Sequence, residues 1–114
     1  MKFYDSIGPN PRLVRMFMLE KGLEIPSVQI DVLAGENRRA PYTDKNPAGE
    51  MPCLELDDGR VIAETVAICE YLEELHPDPP LIGTTPLERA HVRALERTAD
   101  VGLIGGVARV FHNT

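Results

Sequence analysis

Two short apolar runs joined by a tight turn constrain the fold of this chain most strongly. Residues 51–56 read MPCLEL, residues 60–63 read RVIA, and DDG lies between them. An Asp-Gly pair between apolar runs is a strong local signal for a β-hairpin. We therefore expect two antiparallel strands. The first opens at Pro52, where a residue without an amide donor is tolerated.

A second pattern precedes the hairpin and predicts a β-α-β unit. Residues 2–5, KFYD, predict a short strand, and residues 27–32 alternate apolar and polar positions as a half-buried strand does. Between them, apolar residues recur at helical spacing from Leu13 to Met18, and Gly22 supplies a stop. The right-handed crossover rule then makes the two strands parallel.

The hairpin is followed by a helix that begins at Glu64 and Thr65. Its sequence, TVAICEYLEEL, is apolar around much of its circumference, which predicts extensive burial. Residues 34–50 are polar and rich in Gly and Pro, so we expect an irregular loop with one helical turn around 39–44. The order β-α-β then β-β-α predicts an α/β sandwich around a four-stranded mixed sheet.

Proline separates this domain from a last helical pattern. Four prolines lie between residues 76 and 86, and apolar residues return at helical spacing from Leu87 onward. We expect an α/β domain over residues 1–76, a linker over 77–86, and over 87–114 the start of an all-helical domain that is cut short.

Charge and composition exclude several classes of function. The 114 residues carry a net charge of -6 without a basic cluster, which argues against nucleic-acid phosphate as the main partner. No apolar run approaches the roughly 20 residues of a membrane helix, and no basic-then-apolar leader is present. Cys53 and Cys69 fit neither a disulfide framework nor zinc spacing. We therefore expect a cytoplasmic protein without a metal, in which both thiols pack in the core.

Two longer motifs carry a family resemblance. The segments NPAGEMPCLELDDGRVIAET (46–65) and ICEYLEELHPDPPLIG (68–83), in this order of elements, resemble the cytosolic glutathione transferase family. The segment VRMFMLEKGLE is similar to the first helix of bacterial members. The resemblance covers residues 1 to about 83 and implies a thioredoxin-like domain that binds glutathione as a co-substrate.

The resemblance also implies where glutathione lies. A cis bond between Met51 and Pro52 would turn the Met51 backbone toward the ligand, whose cysteinyl part pairs with it as a short added strand. At the helix start, Thr65 would hold the γ-glutamyl carboxylate and Glu64 the ammonium group. Without the resemblance, Pro52 would merely open an edge strand, and Glu64 and Thr65 would serve as a helix cap.

Glu50 departs from the family pattern, in which Gln or Lys is more common at the matching position. A carboxylate there costs affinity for anionic glutathione unless a base neutralises it. Arg38, Arg39 and Lys45 lie in the preceding loop, and Arg39 is the candidate to supply that charge or to bind the glycyl carboxylate.

The group that activates the thiol is less clearly marked. In this family a Tyr, Ser or Cys just after the first strand favours the glutathione thiolate, which is the nucleophile. Relatives that read Ser-Pro-Asn or Thr-Pro-Asn carry the hydroxyl directly before Pro-Asn, where this chain has Gly8. Asn10 and Ser6 remain as candidates, with Asn10 ahead. Asn10 before Pro11 is also a good helix N-cap, and Ser6 also suits a turn.

These observations predict a glutathione transferase. It would direct the glutathione thiolate at an electrophilic small molecule, by conjugation or disulfide exchange, and act as a homodimer. The alternative is a non-catalytic module for protein interaction or ligand carriage, which Gly8 and Glu50 favour. A plain thioredoxin-fold disulfide reductase is a third possibility, and the lack of a CxxC pair counts against it.

Overall fold

The computed structural model describes residues 1–99. In chain order its elements are β1 (Lys2–Asp5), α1 (Pro9–Lys21), β2 (Ser27–Gln29), a 3-10 turn (Glu36–Arg38), α2 (Tyr42–Lys45), β3 (Cys53–Glu55), β4 (Val61–Ala63), α3 (Thr65–Leu75) and α4 (Pro86–Ala99). The chain divides into two compact units, one of Met1–Pro79 and one that begins at Pro80. Among residues 1–99, no helix combines the length and the apolar character that crossing a membrane requires.

The sheet has the strand order β2-β1-β3-β4. Strand β1 runs parallel to β2 and antiparallel to β3, and β3 runs antiparallel to β4. In the register, Leu54 lies opposite Phe3 on one side and Ile62 on the other. The predicted mixed sheet is confirmed, and so are the parallel pairing of β1 with β2 and the antiparallel pairing of β3 with β4.

The strands are shorter than the sequence pattern predicts. The prediction of β2 over 27–32 is wrong at its end, because β2 stops at Gln29. The Ile30 amide still donates to the Asp5 carbonyl at 2.8 Å, but the Asp31 carboxylate then accepts from the Ala34 amide at 3.1 Å and turns the chain. Likewise β3 spans Cys53–Glu55 instead of 51–56, since its ladder with β1 covers only these residues.

The two faces of the sheet bury different clusters. Because side chains alternate along a strand, Phe3 and Leu54 face one layer while Tyr4 and Cys53 face the other. Helices α1 and α3 cover the first face, in a cluster of Phe3, Val14, Met18, Leu54, Ile68, Cys69 and Leu72. On the second face, Tyr42 of α2 packs with Tyr4, Ile30 and Cys53. The prediction that both cysteines pack in the core as free thiols is confirmed.

Burial of α3 is more one-sided than its composition predicts. Ile68, Cys69 and Leu72 are buried, but Val66 is 37% exposed and Leu75 is 47% exposed. The helix meets only one face of the sheet, and so only one stripe of its apolar surface is covered.

Helix α1 begins earlier than predicted. The prediction that Asn10 is its N-cap is wrong, since Pro9 opens the helix and Gly8, with φ 122°, is the cap. Pro9 suits a first helical position as well as Pro11 does, because neither has an amide hydrogen to leave unpaired. At the other end Gly22 adopts φ 70° and its amide donates to the Leu19 carbonyl at 3.0 Å, so the predicted stop is confirmed.

A buried lysine joins the ends of α1 and α3. Lys21 forms an ion pair with Glu73, and its ammonium group donates to the carbonyls of His76 and Pro79, each at 2.6 Å. A buried charge is tolerated only when it is paired and hydrogen-bonded in this way. The contact joins the two helices that cover the first face of the sheet.

Helix α4 has a local start signal of its own. It opens at Pro86, one residue before the predicted start, and the Thr85 hydroxyl accepts from the Glu88 amide at 3.1 Å. A Thr cap with Glu three residues later is the capping-box pattern. The part of the predicted helical segment beyond residue 99 lies outside the described residues.

Candidate functional site

A cavity of about 180 Å³ lies in the first unit, beside the residues that precede β3 and beside the starts of α1 and α3. It is lined by Asn10, Asn46, Ala48, Glu50, Met51, Pro52, Ala63, Glu64 and Thr65. Most of the residues that the sequence predicts as a site are therefore brought together here. Ser6 and Arg39 are not among the lining residues.

Residues 46–52 form one wall of the cavity, and Met51 within it lies beyond the end of the sheet. The Met51–Pro52 peptide bond is cis, as the resemblance implies, and Pro52 is buried. The ladders of β3 with β1 and with β4 both begin at Cys53. Met51 thus lies outside the paired part of the sheet, and neither ladder uses its backbone groups.

The start of α3 forms a second part of the lining. Glu64 is exposed and adopts φ 79°, the one positive φ outside glycine among residues 1–99. Such a conformation costs about 1–3 kcal/mol, and residues that adopt it cluster at active sites and ligand-binding segments. Glu64 caps the helix without a side-chain hydrogen bond to it. The first amides of α3, including that of Thr65, are left by helix geometry without a carbonyl partner and favour an anion.

The start of α1 forms a further wall of the cavity through Asn10. Asn10 is the second residue of the helix, is half-buried and lines the cavity. Ser6 is buried: its amide donates to the Asp5 carboxylate at 2.8 Å, and its hydroxyl donates to the Ile7 carbonyl at 3.2 Å. Of the two thiol-activating candidates, only Asn10 is therefore at the cavity.

Two bases of the preceding loop, Arg39 and Lys45, bind partners outside the cavity lining. The Arg39 guanidinium is exposed and donates to the Ala34 carbonyl at 2.9 Å. Lys45 donates to the Glu55 carboxylate at 2.6 Å, a hydrogen bond that holds the pKa of Glu55 below its usual range. Among the described lining residues, the charged ones are Glu50 and Glu64, so the lining is acidic.

Sequence reasoning missed three lining residues, namely Asn46, Ala48 and Ala63. Asn46 stands in the NPAGE motif, is buried, and donates through its side-chain amide to the Glu50 carbonyl at 2.9 Å. Asn46 could have been predicted as a site residue, because it is a polar side chain at the first position of the motif that the sequence analysis recognised. Ala48 and Ala63 carry no chemistry that would single them out.

Comparison with known sequences points to one protein family. The model of the family described as "Glutathione S-transferase, N-terminal domain" matches residues 7–75. Glutathione S-transferase 2 of Saccharomyces cerevisiae is 38% identical over 99% of this chain and 50% of that protein. Maleylacetoacetate isomerase of Pseudomonas aeruginosa is 35% identical over 88% of this chain and 46% of that protein. The chain spans about half the length of these relatives.

Solved structures agree with this result. A glutathione S-transferase domain-containing protein of Marinobacter aquaeolei has a TM-score of 0.91 and 43% identity, over 98% of this chain and 56% of that one. A glutathione transferase homologue from Sulfitobacter, solved with bound glutathione, has a TM-score of 0.80 and 26% identity, over 86% and 47%. The predicted thioredoxin-like α/β fold is confirmed.

Proposed function

Because this chain belongs to the glutathione S-transferase family, we propose that it binds glutathione in the cavity beside α1, β3 and α3 and stabilises its thiolate. The observation that carries the proposal is the meeting of three groups in one cavity. These are the backbone of Met51, which neither ladder of β3 uses, the start of α3 at Thr65 and the start of α1 at Asn10.

Binding uses the backbone as much as the side chains. The cysteinyl part of glutathione pairs with Met51 as a short added strand, because the ladders leave that residue free. The γ-glutamyl carboxylate lies on the first amides and the hydroxyl of Thr65, where the dipole of α3 favours an anion. Glu64 pairs with the ammonium group of the same ligand residue, and Pro52 forms the floor beside it.

The wall at the start of α1 stabilises the glutathione thiolate. Asn10 donates its side-chain amide to the glutathione sulfur, and the positive end of α1 lowers the free energy of the anion. The position of Asn10 in the lining, and the hydrogen bond from the Ser6 hydroxyl to the Ile7 carbonyl, support Asn10 over Ser6. The thiolate then attacks an electrophilic small molecule, giving either a conjugate at carbon or an exchange at sulfur.

The wider setting is also part of the proposal. We infer a cytoplasmic protein of detoxification type that acts as a homodimer, because family resemblance implies such dimers and α4 exposes Leu87 and Leu95. Residues 1–76 would form the glutathione-binding domain and residues 87–114 the start of a helical domain, with residues 77–86 as linker. Arg39 stays a predicted contact for the glycyl carboxylate.

Thr65→Ala tests the binding mode. A hydrogen bond to a charged group is worth about 1.5–3 kcal/mol, so we expect the dissociation constant for glutathione to rise about 10- to 100-fold. Thr65→Ser keeps the hydroxyl and should bind like the parent chain. Isothermal titration measures all three. If Thr65→Ala bound glutathione as tightly as the parent chain, the γ-glutamyl carboxylate would not lie at the start of α3. If the parent chain did not bind glutathione, the proposed function would be wrong.

One observation favours a non-catalytic module as a second candidate. Gly8 stands where relatives of the Ser-Pro-Asn type carry a hydroxyl, and it has no side chain to offer the sulfur. A conjugation assay with an aryl halide, run on protein eluted from glutathione-agarose, separates the candidates. Retention without turnover favours the module, whereas retention with turnover favours the transferase.

A further inference from the structure

We propose that Tyr42 is a positioning residue of the glutathione site, which acts by holding the peptide unit between Glu50 and Met51. This inference rests on the proposed function, because the unit it holds is the one on which the ligand would lie. Tyr42 itself is not a lining residue of the cavity and would act only through the backbone.

The hydrogen bonds that carry this inference converge on two successive carbonyls. The Tyr42 hydroxyl donates to the Glu50 carbonyl at 2.6 Å, and the Asn46 side-chain amide donates to the same oxygen at 2.9 Å. One residue earlier, the Asn37 side-chain amide donates to the Gly49 carbonyl at 2.7 Å. We call Asn37, Tyr42 and Asn46 the carbonyl clamp.

Peptide geometry transmits the effect of the clamp to the ligand. The Glu50 carbonyl and the Met51 amide belong to one planar unit, and in a trans peptide they point in opposite directions. The cis bonds among the described residues do not include the one that joins Glu50 to Met51. Donors that fix the direction of the Glu50 carbonyl therefore also fix the direction of the Met51 amide, which would pair with the ligand.

Tyr42 is rigidly held, as a positioning residue must be. It is only 2% exposed, and its ring meets that of Tyr4 edge-on, with centroids 5.9 Å apart and planes at 62°. It also packs with Cys53 of β3. Burial raises the pKa of the Tyr42 phenol above its usual range, so the hydroxyl stays protonated and remains a donor.

A merely stabilising tyrosine and a positioning tyrosine predict different kinetics. If Tyr42 orients the Met51 amide, its loss weakens glutathione binding but leaves the thiol-activating wall at Asn10 intact. The KM for glutathione should then rise while kcat at saturating glutathione stays the same. A general loss of stability would instead lower the fraction of active protein and leave KM unchanged.

The test compares two matched substitutions in the same ring pair. Tyr42→Phe removes only the hydroxyl on the Glu50 carbonyl. Tyr4→Phe removes a hydroxyl that bonds to the Glu55 carboxylate at 3.5 Å, away from the clamp. By isothermal titration, we expect Tyr42→Phe to raise the glutathione dissociation constant about three- to tenfold, the worth of one hydrogen bond, and Tyr4→Phe to leave it unchanged.

Each outcome decides the matter. Parent-like affinity in Tyr42→Phe, or an equal loss in Tyr4→Phe, overturns the positioning role. Failure of the parent chain to bind glutathione is distinguishable, because it removes the proposed function and the positioning role with it. If Tyr42→Phe does not fold, Asn46→Ala removes the other donor to the same carbonyl, and parent-like affinity in that variant overturns the role equally.

Discussion

The two walls of the cavity differ in how firmly the chain fixes them. On the wall of residues 46–52, successive carbonyls accept hydrogen bonds from the carbonyl clamp, and the anchoring Tyr42 is part of the core. On the wall formed by the start of α1, Asn10 is the residue that lines the cavity, and the nearby Ser6 hydroxyl donates to the Ile7 carbonyl instead.

The difference separates two tasks. Pairing with a peptide-like ligand needs a backbone that is already in the bound conformation, because ordering it on binding would cost affinity. Stabilising a thiolate needs a positive potential and one donor, which the start of a helix provides with few side chains. We therefore expect changes on the first wall to act on folding and affinity, and changes on the second to act on turnover.

The largest effect is expected from a change that breaks the first wall. Gly49 has φ 70°, and a Cβ there would meet the Asn37 carbonyl oxygen at 2.8 Å. Gly49→Ala should lower the free energy of unfolding by about 2–4 kcal/mol, from backbone strain and the forced shift of residue 37, and abolish retention on glutathione-agarose.

Gly59→Ala is the matched control for this substitution. Gly59 has φ 90° in the hairpin turn, and a Cβ there would meet nothing within 4 Å. Strain alone should cost about 1–2 kcal/mol in urea unfolding and leave retention intact. Equal losses in the two variants would show that the contact with Asn37 does not define the wall.

A smaller effect is expected from Asn10→Ala on the second wall. Losing one donor to the thiolate should lower kcat about tenfold and change the dissociation constant for glutathione far less. The pKa of the bound thiol should rise, which thiolate absorbance against pH would show. Ser6→Ala is the control and should leave turnover unchanged. If the two variants exchanged these results, the activating role would pass to Ser6.

The smallest effect is expected from removing a charge on the first wall. Glu50→Gln removes one of the two carboxylates in the lining without touching the carbonyl that the clamp holds. Affinity for anionic glutathione should improve about two- to fivefold at low salt and less at high salt, since exposed charges are screened. Asp44→Asn removes an exposed carboxylate outside the lining. If Asp44→Asn improved the affinity for glutathione as much as Glu50→Gln, the improvement would come from the net charge of the chain and not from the position of Glu50.

The sequence predicted some parts of this fold and site better than others. The DDG turn predicted how β3 and β4 pair, and the apolar alternation predicted which strands exist, but not where β2 ends. The motif residues Met51, Pro52, Glu64 and Thr65 meet as the resemblance implied. The prediction of Asn10 as helix cap was wrong because Pro9 and Pro11 both suit the first position of a helix. The path of the backbone decides which of them opens α1.

The kind and order of the elements follow from the amino-acid sequence, since turn residues and side-chain periodicity act over a few neighbours. Which side chains reach the cavity depends instead on contacts between distant segments of the fold. Lys45 turns to Glu55, and Tyr42 reaches the Glu50 carbonyl, because packing against the sheet places these partners together. A buried or half-buried polar group takes whichever partner the fold brings within reach, and no local pattern records that choice.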